Sequence, residues 1–377
     1  MRTFEQRNQH FDRLVANPAL RWMGQNSNHY AQHPAVRDAM VESISREEYH
    51  VYAPPVGLEE LRALVLRDFG LPDVAALITD GAVAGLYHIV HSLCRAGDQF
   101  LTTDPSWTWP MAVADSLGVE VVQLPIYGDD YGFRLDPQRL QEAVTGKTKL
   151  IYLVDPNNPL GTSCSAEEIA AIAEVAREAG AYLVQDCSYR DFAYRHHLAA
   201  QHYVERSVTV WSFSQWLGFA GLRLGAVIGH PDLIERLAAA PPNMLGSNIV
   251  AQRGAIAGLK VKQEWFPAVL EGQRANQELI RQVVTGMPGL RLPVFPSNGN
   301  FLVLDCHAAK VSPEALCAAL ARHDILVRQG AYHSAHFGDR FIRISTAVPP
   351  EWIDAFCQQL PRALDEARGM TEQIELF

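Results

Sequence analysis

A chain of 377 residues is too long for one compact core and suits two domains of ordinary size. Its 48% hydrophobic and 20% charged residues describe a globular protein and exclude a disordered one. A net charge of -10, with no block of like charges, argues against a nucleic-acid surface, which needs a basic patch.

At the N-terminus, MRTFEQRNQHFDRL lacks the apolar stretch of a signal peptide, and no later run approaches the length that crosses a bilayer. The expectation is a cytoplasmic protein without a membrane partner. Cys94, Cys164, Cys187, Cys306, Cys317 and Cys357 are widely scattered with no CxxC pair, which reads as reduced thiols rather than a disulfide framework. Among the 14 histidines there is no HExxH, and neither His196-His197 nor His333/His336 has a third ligand at a recognisable spacing, so no metal site is expected.

From about Asp73 the chain alternates strand and helix patterns. Apolar, β-branched runs stand at 76–79 (ALIT), 119–124 (VEVVQL), 149–154 (KLIYLV), 181–186 (AYLVQD), 207–212 (SVTVWS) and 224–229 (LGAVIG). Between them lie helical patterns such as 166–180, with apolar residues three and four apart and a terminal glycine. Such alternation predicts an α/β domain with a mostly parallel sheet flanked by helices, and ligands bind at the carboxyl ends of its strands. Beyond about 275 the pattern changes to a helix at 274–286, a strand at 300–305, a helix at 312–322, a strand at 340–346 and a last helix. That is a small α+β domain. The predicted division is a large ligand-binding domain over 46–270 and a small domain made of 1–45 and 271–377.

The segments just past the strand ends point to chemistry. After ALIT comes DGAVAGL (80–86), small residues opening a helix whose free N–H groups make a phosphate cradle. After KLIYLV comes DPNNPLGT (155–162), a turn cluster in which Asn158 is a candidate ligand contact. Asp186 closes an apolar strand, where an unpaired carboxylate is costly; a protonated ring nitrogen would serve as its partner, with Tyr189 within reach. In WSFSQWLGFAGLRLG (211–225), Ser212, Ser214 and Arg223 supply the hydroxyl and guanidinium donors that a phosphate dianion favours.

Taken together, DGAVAGL, PSW, DPNNPLG, DCSYRDF, SFSxxxGFAGLRLG and FIRIST, in this order and spacing, resemble fold-type-I pyridoxal-phosphate enzymes of the class I/II aminotransferase family, over about residues 20 to 365. The resemblance implies pyridoxal 5'-phosphate as cofactor. Gly81, Ala82 and Val83 would hold its phosphate with Ser212, Ser214 and Arg223. Trp107 would stack on the ring, Asn158 and Tyr189 would hold the phenolic oxygen, and Asp186 would pair with the pyridinium nitrogen. Tyr52 would reach the phosphate of a neighbouring subunit, implying a homodimer with shared active sites. Arg343 would take the substrate α-carboxylate. Asn28, His29, Tyr30, Trp109 and Asn300 are candidate substrate-pocket residues, of which Asn28 and Asn300 are taken as substrate contacts. The implied activity is amino-acid chemistry through an external aldimine, with transamination as the default outcome. A lyase, cyclase, decarboxylase or oxidase on the same fold is the alternative, and a non-catalytic pyridoxal-phosphate-binding protein is another.

One position departs from the resemblance. The family places after SFS the lysine that forms the Schiff base; here it is Gln215, whose amide is neither nucleophilic nor basic near neutral pH. The only lysines are Lys147, Lys149, Lys260, Lys262 and Lys310, none in a motif that lines the expected site. Either lysine was deliberately replaced in an otherwise ordinary enzyme, leaving an inactive variant, or a natural protein lost transamination. The completeness of the other cofactor positions, Asp186 above all, favours the first.

Overall fold

The computed structural model describes residues 4–239 and 245–370; the ends of the expected small domain, 1–3 and 371–377, lie outside the described residues. Twelve strands lie among the described residues. The first, β1 (Arg21–Trp22), pairs in parallel with β10 (Ile325–Leu326). A seven-stranded sheet contains β2 (Ala75–Thr79), β3 (Gln99–Asp104), β4 (Glu120–Pro125), β5 (Thr148–Val154), β6 (Tyr182–Asp186), β7 (Ser207–Ser212) and β8 (Gly225–Gly229), in the order β2-β8-β7-β6-β5-β3-β4. A three-stranded antiparallel sheet is ordered β11 (Arg328–Gln329), β12 (Phe341–Ser345), β9 (Phe301–Asp305).

In the large sheet only β8 runs against its neighbours, pairing antiparallel with both β2 and β7. The reversal positions the site. The other strands bring their carboxyl ends to one edge of the sheet, and β8 brings its amino end, with Arg223 two residues earlier, to the same edge. Helices separate the strands as the periodicity predicts. The helix Ala166–Glu178 starts with a full capping box, the Ser165 hydroxyl accepting from the Glu168 N–H while the Glu168 carboxylate accepts from the Ser165 N–H.

Two differences from the sequence expectation have plain causes. The strand β3 has no counterpart among the apolar runs because its sequence is QFLTTD, yet all six residues are buried. Both threonines are satisfied there: the Thr102 hydroxyl donates to the Tyr152 carbonyl and the Thr103 hydroxyl to that of Pro105. The helix expected at 274–286 spans Lys262–Thr285, with Pro267 inside it. Proline removes one rung of the ladder there, but burial of Trp265, Phe266 and Val269 holds the preceding turn in line.

The apolar cores follow the sheets. One cluster joins β9 and β12 to the helices Pro313–Ala321 and Pro350–Arg368 through Leu302, Leu304, Ile342, Ile344, Leu316 and Phe356. Three others cover the faces of the large sheet, one of them rich in tryptophan. In it Trp211 and Trp216 stack at 5.5 Å between ring centroids, and Lys262 lies over both. The Lys262 ammonium donates to Asp191 at 2.6 Å and to both oxygens of Asp68, and Arg190 donates to Asp68 as well. No helix among the described residues is long and apolar enough to cross a membrane, and no group of three or more His, Cys, Asp or Glu there could hold a metal ion.

Removing Lys262 takes one of two cations from a pair of shielded carboxylates and leaves Arg190 alone beside them. Lys262→Ala is expected to destabilise the fold by roughly 3–5 kcal/mol, measured as the loss in unfolding free energy by urea denaturation.

Candidate active site

The edge where the strands converge carries a cavity of about 270 Å³, walled by residues from both sheets. Ala82 and Val83 come from the first turn of the helix Ala82–Leu93, Trp107 from the loop after β3, and Asn158 from the turn after β5. Asp186 ends β6 and Tyr189 lies three residues beyond it. Ser212, Ser214 and Gln215 come from the end of β7, Arg223 from the approach to β8, and Arg343 from β12.

One end of the cavity is built for an anion. Gly81 caps the helix Ala82–Leu93 with φ +85°, so the first N–H groups of the helix are presented outward. A Cβ at Gly81 would collide with Arg223 Nη2, so closely does the guanidinium lie against this turn. Arg223 itself has φ +54° and is held by donation to the Ala220 carbonyl at 2.8 Å. The Ser212 hydroxyl accepts from the Ser214 N–H, fixing the two serines beside it.

The other end carries an acid. Asp186 is buried; its Oδ1 accepts from the Ser188 hydroxyl at 2.6 Å and the Ser188 N–H at 3.1 Å, and its Oδ2 from the Tyr152 hydroxyl at 2.9 Å. Burial raises its pKa, and these hydrogen bonds oppose the rise without cancelling it. All its partners are neutral, so a cation brought to this carboxylate has its negative charge to itself.

Between the two ends lies a network of amides. Tyr189 Oη accepts from Asn158 Nδ2 and from Asn26 Nδ2, each at 3.3 Å. Arg343 sets the direction of the first amide, donating to Asn158 Oδ1 at 2.5 Å and to the Gly24 carbonyl at 2.7 Å. The Ser345 hydroxyl sets the second by donating to Asn26 Oδ1 at 2.8 Å. Burial, reinforced by the charge of Arg328, pulls the Arg343 guanidinium down to about 10, while Tyr189 opposes the fall. Gln215 stands beside Tyr189, its Oε1 shielded from solvent and without a hydrogen-bond partner.

Asn28, Asn300 and Tyr52 are among the expected residues that lie off this wall. Asn28 is buried, but its amide is used structurally, donating to the Trp216 carbonyl and accepting from the Tyr30 N–H. Asn300 is buried with its Nδ2 donated to the Asn26 carbonyl, one layer behind. Tyr52 stands on the surface, 79% exposed. Of the other pocket candidates, His29 packs on Trp352, Tyr30 accepts from Asn276, and Trp109 is an exposed neighbour of Tyr332. Conversely the wall includes Gly24, Gln25, Ser188, Arg328 and Tyr332, which the motifs did not single out, and Tyr152 supports it through Asp186. Ser188 was findable, because a serine two residues after an aspartate is a local cap for its carboxylate. Arg328 had a fainter signal, an arginine set directly after the apolar run ILV.

The fold and the cavity define an α/β protein with a cleft between its two larger sheets, an anion cradle at one end and a buried acid at the other. The family model for aminotransferase class I and II matches residues 20–360, and the chain belongs to that family. It is 27% identical over 333 residues to the aspartate/prephenate aminotransferase of Thermus thermophilus, covering 84% of each chain. To the histidinol-phosphate aminotransferase of Methanosarcina mazei it is 27% identical over 336 residues, covering 87% of this chain and 84% of that one. Among solved structures, N-succinyldiaminopimelate aminotransferase from Mycobacterium tuberculosis matches with TM-score 0.83 at 24% identity, over 94% of this chain and 96% of that one, a likeness of fold. The fold is that of the fold-type-I aminotransferases. Members of the family use pyridoxal phosphate and act on amino acids.

The raised pKa of Asp186 gives a signed pH dependence. The native state holds this proton more tightly than the unfolded chain, so the ligand-free protein loses stability as pH rises from the ordinary aspartate range through the raised value. Asp186→Asn is expected to lose that component of the pH dependence and to melt at or above the wild type at pH 8, which thermal scans at pH 5 and 8 measure. A melting temperature at pH 8 well below wild type would contradict it.

Proposed function

We propose that the cavity binds pyridoxal phosphate and that the lysine-bearing form of this chain transfers the amino group of an amino acid to a 2-oxo acid. The carrying observation is the pairing, in one cavity, of an anion cradle with a buried carboxylate that has only neutral partners. A phosphorylated pyridine fits both ends: Gly81, Ala82, Val83, Ser212, Ser214 and Arg223 would hold the phosphate, and Asp186 the ring nitrogen. Bound there, the cofactor supplies an aldehyde carbon for the substrate amine and a ring that draws electrons from it.

The protein's own tasks derive from the wall. Asp186 would keep a proton on the ring nitrogen of the bound cofactor, because in its low-dielectric surroundings separating that charge pair is costly. Trp107 would cover the ring and limit access of water. The Tyr189 hydroxyl, held by Asn26, and the Asn158 amide, held by Arg343, would hold the phenolic oxygen. Arg343 would present a guanidinium fork to the α-carboxylate and so orient the substrate.

We assign Gln215 to the position of the family's Schiff-base lysine. None of the five lysines lines the cavity, and the two with a place in the fold's ion pairs are tied elsewhere, Lys262 to Asp68 and Asp191, Lys260 to Glu60. The chain as it stands then has neither the nucleophile nor the base for proton transfer, and is the inactive Lys-to-Gln form. That same observation supports a second reading, a binding protein that keeps the site without the chemistry.

We further propose a cytoplasmic homodimer in which Tyr52, exposed here, reaches the partner's phosphate site, and a division into parts over 46–270 and over 1–45 with 271–377. In support of two parts, the three-stranded sheet has an apolar core of its own.

Restoring the amine separates the two readings. Gln215→Lys is expected to give a shifted cofactor absorption band, covalent attachment at position 215 after borohydride reduction seen by mass spectrometry, and amino transfer with at least one amino acid. The unaltered chain should bind pyridoxal phosphate with no covalent mass. A Gln215→Lys protein that attaches the cofactor but acts on no amino acid would favour the binding protein; no attachment at all would remove the assignment of position 215.

A further inference from the structure

Two aromatic residues of the cavity wall come from different sheets. Trp107 follows β3 of the large sheet, and Tyr332 stands between β11 and β12 of the three-stranded one. The segments that carry them are joined by a pair of side chains outside the cavity. Asp104 is the last residue of β3, and His336 lies four residues beyond Tyr332. Nδ1 of His336 is 2.7 Å from Oδ2 of Asp104. An ionised carboxylate only accepts, so this nitrogen carries the hydrogen.

The two partners differ in their surroundings. The Asp104 side chain is 4% exposed and that of His336 is 74% exposed. Oδ1 of Asp104 is shielded from solvent and has no hydrogen-bond partner. Among the described residues, His336 is the group that forms an ion pair with this acid. A shielded carboxylate with a single partner is costly to keep, and nothing in the strand or its core needs one there. What the arrangement does is tie one segment to the other.

Three further contacts join the same two segments, and each is weaker. The Ser106 N–H donates to the His333 carbonyl at 3.3 Å, and Trp109 Nε1 donates to the Tyr332 hydroxyl at 3.3 Å. The rings of Trp107 and Tyr332 are tilted, with 5.9 Å between centroids. A short, charge-assisted hydrogen bond is worth more than any of these. The segment 330–338 can transmit its hold because it is bonded to itself. The His333 and Ser334 N–H groups both donate to the Gly330 carbonyl, and the Phe337 N–H donates to the Ser334 hydroxyl. Phe337 also stacks on Tyr127 at 5.6 Å. Neither of those rings lines the cavity, whereas Asp104 stands three residues from Trp107.

We propose that Asp104 and His336 form a clasp between the large sheet and the three-stranded one that sets Trp107 against the cavity, making both of them positioning residues for the ligand held there. This rests on the reading of Trp107 as the residue that covers a bound pyridine ring. With the clasp open, the indole is free to leave the wall and the ligand loses its cover.

The test is fluorine NMR of the full chain carrying fluorotryptophan, with the Trp107 signal identified by its loss in Trp107→Phe, together with titration of the same proteins with pyridoxal phosphate. His336→Ala is expected to shift or broaden the Trp107 signal before any ligand is added, and to weaken pyridoxal-phosphate binding roughly 3- to 30-fold. His336→Asn, whose amide N–H takes the place of the one on Nδ1, should keep the signal and hold the affinity within about threefold of the unaltered chain. Because His336→Ala strands a shielded charge and can impair folding, the double change Asp104→Asn with His336→Ala removes that charge while leaving the clasp broken. It should show the same altered signal and the same loss of affinity. A Trp107 signal unmoved in both broken-clasp proteins would overturn the proposal, as would pyridoxal-phosphate affinity indifferent to the clasp in a chain that binds it. A Trp107 signal that moves with the clasp, in a chain that takes up no pyridoxal phosphate, would uphold the clasp and overturn the cofactor reading instead.

Discussion

A carboxylate buried at the end of a strand, with three hydrogen bonds and no cation, is the constraint on which the rest depends. Asp186 could be made cheaper to bury by many substitutions, yet the protein supports it from two sides, through Ser188 in its own turn and Tyr152 on the neighbouring strand. Those neutral donors keep the acid in place without neutralising it. The cavity thus has a fixed polarity, with an acid at one end and a guanidinium against a helix N-terminus at the other. Everything else on the wall is arranged between those two poles.

Much of this was legible in the chain because the site is assembled where strands end. Apolar runs fixed the strands, and the residues at or just beyond their ends, Asp186, Asn158, Ser212 and Ser214, are the ones the cavity gathers. Arg223 was legible by motif only; what brings it to the others is the reversal of β8, a pairing that no local pattern encodes. Asn28 and Asn300 were placed by proximity to motifs, and a polar side chain near a site is as easily consumed by the backbone, as both are here. Tyr152 was illegible, and Arg328 nearly so, for a related reason. The neighbour that gives each its place is distant in sequence, and the register that pairs them is set by the assembled sheet.

The position of Gln215 is held by its surroundings rather than by its own side chain, whose Oε1 has no hydrogen-bond partner. The residue sits in a four-residue helix whose cap, Ser212, and whose neighbours Phe213 and Trp216 are fixed by the tryptophan-rich core behind. A side chain of similar reach fits the same place without asking the core to move.

The reversed strand also bears on how the molecule comes to be made. The edge strand β2 pairs only with β8, so the earliest strand of the large sheet in the chain must wait for its last one, about 150 residues later. At ribosomal speeds that wait is roughly 8–30 s, during which an apolar segment has no permanent neighbour. Sheet closure, and with it the anion cradle just beyond β2, is therefore a late event of high contact order, and a nascent chain would gain most from chaperone cover in that interval.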